Sequence, residues 1–400
     1  MTGARVLFYV QHLLGIGHLR RAVTLVDAMT RRGLEVTLVS GGFPVPGMAP
    51  RSAKVVQLAP AGAADMSFRQ LIDSAGAPVD EAWKQLRRQH LLQAWDAAAP
   101  QALVVELYPF GRRQMRFELL PLLDAASRGD RPAVRVSSVR DVLGGGQNAP
   151  AKQDQAAETF EHHFDHLLVH GDPAVIPFGA TFRHAQRIAG RLHYTGYVVD
   201  SGVESDVACS HGGSGDSGDS DGGEVLVSAG GGAVGKRLML AAIGARRLSL
   251  LGGRRWQLLA GMNSSKSELA ELRALALAEA GDGICVEQHR PDFLQLLTSC
   301  RVSVSQGGYN TVLETLRVGA RSVVVPFAGG AEVEQSLRAG LLAAHGWIEL
   351  VQESDLTPQS LAQAIDSAHL RPVRLSVPID MNGAARSAEL IDGWIQERFG

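Results

Sequence analysis

Short Val- and Leu-rich runs alternate with longer stretches of helical periodicity along almost the whole chain, a pattern that few folds accommodate. Val6 to Val10 passes through a glycine-containing turn into Leu19 to Arg32, the order strand, loop, helix. Further strands are predicted at Leu34 to Val39, Lys54 to Leu58, Ala102 to Glu106, Ala133 to Ser137 and His166 to His170, with helices over Val79 to Ala98 and Gln114 to Ala126. Later strands fall at Val225 to Ala229, Trp256 to Ala260, Ile284 to Glu287, Val302 to Ser305 and Ser322 to Val325. Between and after them helices are predicted over Lys236 to Leu250, Ser267 to Ala278, Asp292 to Cys300, Thr311 to Val318 and Glu334 to His345. Strands so short and apolar, separated by helices, argue for parallel sheets covered on both faces.

The alternation breaks once, at SGVESDVACSHGGSGDSGDSDGG, which has too few large apolar groups to offset the entropy of ordering it. Four hundred residues also exceed what one core usually organises. The expected organisation is an N-terminal Rossmann-like α/β domain over 1–200, a flexible linker over 201–223 and a second Rossmann-like domain over 224–380. A closing helix over 381–400 carries Ala388, Ile391, Ile395 and Phe399 at helical spacing.

Charge and cysteines remove several classes. Lys+Arg 39 against Asp+Glu 41 lacks the basic excess of a nucleic-acid binder. Cys209, Cys285 and Cys300 form no CxxC pair, so neither a disulfide framework nor a zinc ribbon is expected, and a reducing cytoplasm fits. No run reaches membrane-spanning length and the N-terminus lacks a cleavage-site pattern, so contact with a membrane is expected to be peripheral at most.

In open parallel sheets ligands bind beyond the carboxyl ends of the strands. Three loops stand there. In QHLLGIGHLRR, Gly15 and Gly17 permit a tight turn and His18 falls at a helix start; Arg20 occupies the third glycine position of a dinucleotide fingerprint, which disfavours NAD. In SAGGGAVGKR, Gly230, Gly235 and Lys236 have Walker A spacing, yet Arg237 replaces the hydroxyl that Mg²⁺ needs; three consecutive glycines there suit either a diphosphate at a helix N-terminus or a tight turn that holds no ligand. In the third, Gly307 and Gly308 leave a strand, and Thr311 and Glu314 lie on the first turns of the next helix. Glu314 there either meets the helix dipole or accepts the two hydroxyls of a ribose.

At this third loop the chain resembles the donor-binding half of glycosyltransferase family 28. The shared series is Gly307-Gly308, Thr311, Glu314, Gly319, Val325-Pro326-Phe327 and Glu334-Gln335, and the N-terminal Gly-x-Gly-His is similar to that family's acceptor-side loop. QHLLGIGHLRRA, ELYPFGRRQMRFELLPLL and SSVRDVL look like a group of bacterial glycosyltransferases. The resemblance implies the GT-B fold: two Rossmann-like open parallel-sheet domains facing across a cleft, with a C-terminal helix packing back. It further implies that Glu314 binds the ribose and Thr311 a phosphate or the adjoining loop beside Gly308. By the same resemblance Glu334 and Gln335 meet the donor sugar, Gly231 and Gly232 the diphosphate, and the backbone near His289 and Arg290 the uracil. The chain departs from the family in having Gln306-Gly307 where a basic residue or Ser precedes Gly308, and fewer glycines around Gly15 and Gly17.

Displacement at an anomeric carbon needs a base, a stabilised leaving diphosphate and exclusion of water. His18 is the candidate base, because a helix N-terminus disfavours imidazolium. Glu106 or Asp141, both at strand ends, would orient it. Glycine-loop amides, helix dipoles and Arg290 would neutralise the diphosphate, so no metal and no cofactor are expected; Asp219-Ser220-Asp221 lies in the linker, and His162, His163, His166 and His170 match no metal-site spacing and read as partly exposed. Arg112, Arg113 and Arg116 sit among apolar groups just after Glu106. They read as a solvated helix face with two core aromatics, or as contacts to a phosphate-bearing or lipid-linked acceptor or to the membrane surface.

The predicted activity is inverting, metal-independent transfer of a hexose or N-acetylhexosamine from a UDP-sugar donor to a hydroxyl acceptor. The rival readings are a nucleotide-sugar 2-epimerase or hydrolase of the same fold, with Glu332, Glu334 and Asp141 recruited, and a non-catalytic nucleotide-sugar-binding subunit.

Overall fold

The computed structural model describes residues 3–13, 15–64, 70–143, 150–199, 223–229, 235–261, 264–327, 334–372 and 379–400. The chain forms two compact units, Met1–Gly202 together with Ile379–Gly400, and Val203–Pro378. The predicted linker, except Gly223, lies outside the described residues, as do Asp219-Ser220-Asp221, Glu332, Gly230, Gly231 and Gly232.

The strands of the first unit are β1 (Arg5–Val10), β2 (Glu35–Ser40), β3 (Lys54–Gln57), β4 (Gly62–Ala63), β5 (Leu71–Ile72), β6 (Ala102–Glu106), β7 (Val134–Arg140), β8 (His166–His170) and β9 (Leu192–Tyr194). Seven of them form a parallel sheet in the order β3-β2-β1-β6-β7-β8-β9, while β4 and β5 make a small antiparallel pair. In β1, Val6, Phe8 and Val10 enter one core and Leu7 and Tyr9 the other, which is why the strand reads as an unbroken apolar run. Against Val6, Phe8 and Val10 lies the helix Gly17–Arg31, whose Leu19, Ala22, Leu25, Val26 and Met29 form one apolar stripe. The opposite face is covered by Glu81–Ala98 and Arg116–Ala126, which bring Leu91, Leu119, Leu122 and Leu123 onto Leu7, Tyr9, Leu103 and Val105.

The closing helix Gly383–Phe399 packs back on this unit, with Ala388, Ile391 and Ile395 in the same core as Leu25 and Met29. Its entry is fixed by backbone pairing, Tyr197 N–H to Asp380 O at 2.7 Å and Gly383 N–H to Tyr197 O at 3.0 Å. A Cβ on Gly383 would stand 2.4 Å from Gly196 O, so this close approach admits only glycine.

The second unit has β10 (Val225–Ser228), β11 (Trp256–Leu259), β12 (Ile284–Glu287), β13 (Val302–Ser305), β14 (Ser322–Val324) and β15 (Glu349–Leu350). They form a parallel sheet in the order β12-β11-β10-β13-β14-β15. One core joins Val225, Val227, Trp256 and Leu258 to Leu238, Leu272, Leu361 and Ile365. A Cβ on Gly235 would fall 2.1 Å from the Ala229 Cβ, so the helix Lys236–Ala245 can leave its strand this closely only from glycine.

In both sheets the strand order reverses beside the first strand, between β1 and β6 and between β10 and β13. Such a reversal leaves a crevice at the carboxyl ends where successive loops diverge.

Several elements escaped the periodicity argument. The helix Pro150–His163 is mostly polar, and β4, β5, β9 and β15 are too short to register as apolar runs. The helix Pro358–Leu370 had a readable signal: Thr357 and Ser360 form a reciprocal cap and Pro358 occupies the first turn. Lys236–Ala245 stops five residues before the predicted Leu250, passing into a short 3₁₀ turn at Arg246–Leu248.

Candidate active site

His18 lies in the first turn of Gly17–Arg31, directly after β1, and Glu106 ends β6, so the two residues flank the reversal point of the first sheet. His18 Nδ1 is 3.0 Å from Glu106 Oε1; the His18 side chain is 18% exposed and that of Glu106 fully buried. One helical turn beyond His18, Arg21 donates to the same Glu106 oxygen. Ser138 on β7 donates to Glu106 Oε2 at 2.7 Å. Of the two carboxylates open in the sequence, Glu106 is the one hydrogen-bonded to His18. Asp141 is also buried, and its Oδ1 accepts the Val142 N–H at 2.8 Å.

Burial pushes the His18 imidazole down to about 3, aided by the charges of Arg112, Arg140 and Arg21 and opposed by Glu106. Burial alone would raise Glu106, but Arg21 and the hydrogen bond from His18 hold it well below the usual carboxylate range. The resting pair is therefore a neutral imidazole against an ionised carboxylate. With Nδ1–H donated to Glu106, the ring keeps its lone pair on Nε2.

The three arginines after Glu106 do not form a single solvated face. Arg112 adopts the left-handed conformation at φ 56° and donates from Nε to Gln11 O at 2.7 Å. Burial lowers its guanidinium to about 10. Gln11 is braced in turn, since its Oε1 accepts from fully buried Arg87 at 2.6 Å, and Arg87 donates to Glu118 at 2.8 Å. Arg113 is half-buried and donates to Lys152 O at 3.3 Å, while Arg116 is exposed. The reading of two core aromatics holds for Phe110, which is buried, and for Phe117, which packs against the same core. Gly15 is not sterically required, since a Cβ there would meet no atom within 4 Å; Gly17 begins the helix that carries His18.

The histidine set is not uniformly exposed. His170 is fully buried and takes part in the Glu106 network, whereas His166 stacks on Trp394 of the closing helix with ring centroids 3.7 Å apart. His162 and His163 lie at the end of Pro150–His163. Among the described residues no group of three His, Cys, Asp or Glu is placed to hold a metal ion.

In the second unit, Gly308 caps the helix Tyr309–Arg317 directly after β13. Gly307 has φ 77°, and a Cβ there would fall 2.7 Å from a Val324 methyl, so the tight exit from β13 requires glycine. Glu314 is 7% exposed on this helix, and Thr311 is half-buried one turn earlier. The Gln335 side chain accepts the Phe327 N–H at 3.1 Å and so fastens the loop after β14. Glu334 pairs with buried Arg338 at 2.9 Å, and Arg338 lies over the Tyr309 ring. His289 is exposed after β12. Arg290 pairs with Asp292 at 2.6 Å and is approached by Glu287 at 3.5 Å. Lys236 pairs with Glu271 at 2.7 Å, which places the Walker-like lysine in a surface ion pair.

Sequence reasoning did not single out Arg21, Ser138 or Thr195, and it read His170 as partly exposed although it is fully buried. Only Arg21 carried a signal, three residues beyond His18 on the same helical face.

Comparison with known proteins agrees with this architecture. Residues 257–392 match the glycosyltransferase family 28 C-terminal domain. The UDP-N-acetylglucosamine--N-acetylmuramyl-(pentapeptide) pyrophosphoryl-undecaprenol N-acetylglucosamine transferase of Nitrobacter hamburgensis is 34% identical over 101 residues, 25% of this chain and 26% of the relative. The Brucella canis protein of the same name is 38% identical over 72 residues, 18% of this chain and 19% of its own. The chain thus matches only about a quarter or less of the length of these curated relatives. Among solved structures, Acinetobacter baumannii MurG superposes with TM-score 0.60 at 14% identity, covering 98% of this chain and 99% of that one. CalG4, the calicheamicin glycosyltransferase, gives 0.62 at 16% identity, covering 99% and 100%.

The fold is that of a GT-B α/β protein, and the relatives and structures it matches are glycosyltransferases. Within that fold the C-terminal part is family 28-like, since residues 257–392 match the glycosyltransferase family 28 C-terminal domain.

Proposed function

We propose that this protein is an inverting, metal-independent glycosyltransferase that moves a hexose or N-acetylhexosamine from a UDP-sugar to a hydroxyl acceptor. The observation that carries the reading is the His18–Glu106 pair at the reversal point of the first sheet, in a chain whose other unit bears a family 28 donor-type domain. The uridine donor and N-acetylhexosamine are supported by the names of the curated relatives.

In this mechanism the acceptor O–H gives its proton to His18 Nε2 as its oxygen attacks the anomeric carbon. The bond from that carbon to the diphosphate breaks, and its electron pair leaves on the diphosphate oxygen. Glu106 stabilises the imidazolium that forms. Donor contacts fall to Glu314 and Thr311, with the helix N-termini after Gly235 and Gly308 facing the diphosphate. Gly231, Gly232, Glu334, Gln335 and the backbone around His289 complete the proposed donor set.

A phosphate-bearing, lipid-linked acceptor suits the first unit. Arg21, Arg112 and Arg140 act on His18 while Glu106 is the carboxylate hydrogen-bonded to it. An acceptor phosphate near Arg112 would offset those cations and raise the proton affinity of His18 toward the range useful for a base. No described helix is long and apolar enough to cross a membrane, and work at the cytoplasmic face as a peripheral protein is the proposed setting.

Titration calorimetry with UDP, TDP, GDP and ADP, each with and without EDTA, tests the donor half. Selective UDP binding that survives EDTA is expected, followed by transfer from labelled UDP-sugars to phosphate-bearing acceptors. Failure to bind any diphosphate, or binding of ATP only with Mg²⁺, would overturn the reading.

A further inference from the structure

A chain of hydrogen bonds crosses the carboxyl ends of five neighbouring strands in the order in which the sheet places them, β1, β6, β7, β8 and β9. It starts at His18 after β1 and reaches Glu106 at the end of β6 at 3.0 Å. Ser138 on β7, register partner of Glu106, bonds to Glu106 Oε2 at 2.7 Å and to His170 Nε2 at 2.9 Å. His170 ends β8, and its Nδ1 is 2.9 Å from Thr195 Oγ1, just after β9. Ser138, His170 and Thr195 are all fully buried.

Donor and acceptor counting around ionised Glu106 favours one direction for this chain. Ser138 has one hydroxyl proton, and ionised Glu106 can only accept, so that proton goes to Glu106. His170 Nε2 must then carry a proton and donate to Ser138 Oγ. A neutral His170 leaves Nδ1 bare, to accept from Thr195. The opposite polarity is available, because Thr195 Oγ1 also lies 2.9 Å from Gly196 O and 3.4 Å from Val169 O. It would turn the Ser138 proton toward His170 and leave Glu106 Oε2 without that donor in a buried site, which the charge-assisted bond disfavours.

We infer that Ser138, His170 and Thr195 are positioning residues that orient Glu106 and, through it, keep His18 in the tautomer with a free Nε2. For its effect on rate the inference rests on His18 being the base; the tautomer assignment does not.

Long-range ¹H–¹⁵N correlation of the full chain labelled with ¹⁵N-histidine at pH 7.5 reads both tautomers directly. His170 protonated on Nε2 and His18 protonated on Nδ1 are expected. In Ser138→Ala the His18 signals move to a tautomer mixture, kcat falls about tenfold, a fraction of what a positioned base contributes, and the donor KM holds within about twofold. Ser138→Thr restores both. His170→Gln, whose amide N–H takes the place of Nε2–H, keeps the His18 tautomer, and His170→Phe loses it. His170 protonated on Nδ1 in the wild type would overturn the inference, and that spectrum decides even if a variant fails to fold. An unchanged His18 spectrum in folded Ser138→Ala and His170→Phe would overturn it too. The expected spectra in a protein that turns over no nucleotide sugar would uphold the positioning chain and remove the transferase reading.

Discussion

His18 and Glu106, 88 positions apart in sequence, meet at 3.0 Å because the strands that deliver them, β1 and β6, are neighbours in the sheet. Their contact couples a neutral imidazole to a carboxylate that Arg21 holds ionised. His18→Ala should lower kcat by about 10²–10⁴-fold while leaving donor affinity unchanged. Steady-state transfer assays alongside donor calorimetry check this, and a His18→Ala enzyme with near wild-type turnover would remove His18 as the base.

Glu106→Gln should be costly in a second way. It leaves the buried Arg21 guanidinium without its counter-charge, a loss of about 3–5 kcal/mol. Urea unfolding of the variant reads this, and a midpoint equal to wild type would mean that Arg21 finds another partner.

Stability should fall as pH drops below the ordinary histidine value of 6.5. His18 and His170 are held near 3 and His166 near 4, in each case mainly by burial, so the unfolded chain binds more protons than the native one in this range. The stabilisation is complete above pH 6.5 and is lost progressively as pH falls toward 4 and then 3. Each group adds a slope approaching about 1.4 kcal/mol per pH unit. Glu106, held low, adds its own loss only below its ordinary value of 4.5. Denaturant midpoints at pH 7.5, 6 and 5 test the window; a flat profile would mean that these rings are hydrated in solution.

Glu314→Gln should weaken UDP binding by about 10- to 100-fold, the worth of a hydrogen bond to a charged acceptor. Calorimetry measures it. Equal affinity for wild type and variant would show that the buried carboxylate serves only its own helix.

The closing helix should matter to the first unit alone. Ile391 is fully buried, and Ile391→Ala should cost about 2–5 kcal/mol. In urea, the transition of the first unit should move and that of the second should stay; movement of both would mean that the two unfold together.

Much of the fold was legible because it rests on short-range pattern. The bounds of His166–His170, Ile284–Glu287 and Val302–Ser305 follow from short runs built on Val, Leu and Ile, and the closing helix from its helical spacing, since a strand covered on both faces buries most of its side chains. The positions of His18 at a helix start and of Glu106 at a strand end were legible for the same reason. Elements held by caps or by edge pairing, such as Pro358–Leu370 and Leu192–Tyr194, carry little of that signal.

Tertiary structure decided what each polar group does. Asp141 and Glu106 are equivalent in sequence, each acidic and each near a strand end, yet strand order puts Glu106 beside His18. Arg290 and Lys236 gain carboxylate partners, Asp292 and Glu271, that sequence pattern does not reveal. His170 looks like a surface histidine until β7 and β9 enclose it. The sequence by itself determined the alternation of strands and helices, because burial of apolar side chains acts locally at fixed periods. Which charges are paired, buried or free to act was settled by the lateral order of the strands, because electrostatic partners come from residues far apart along the chain.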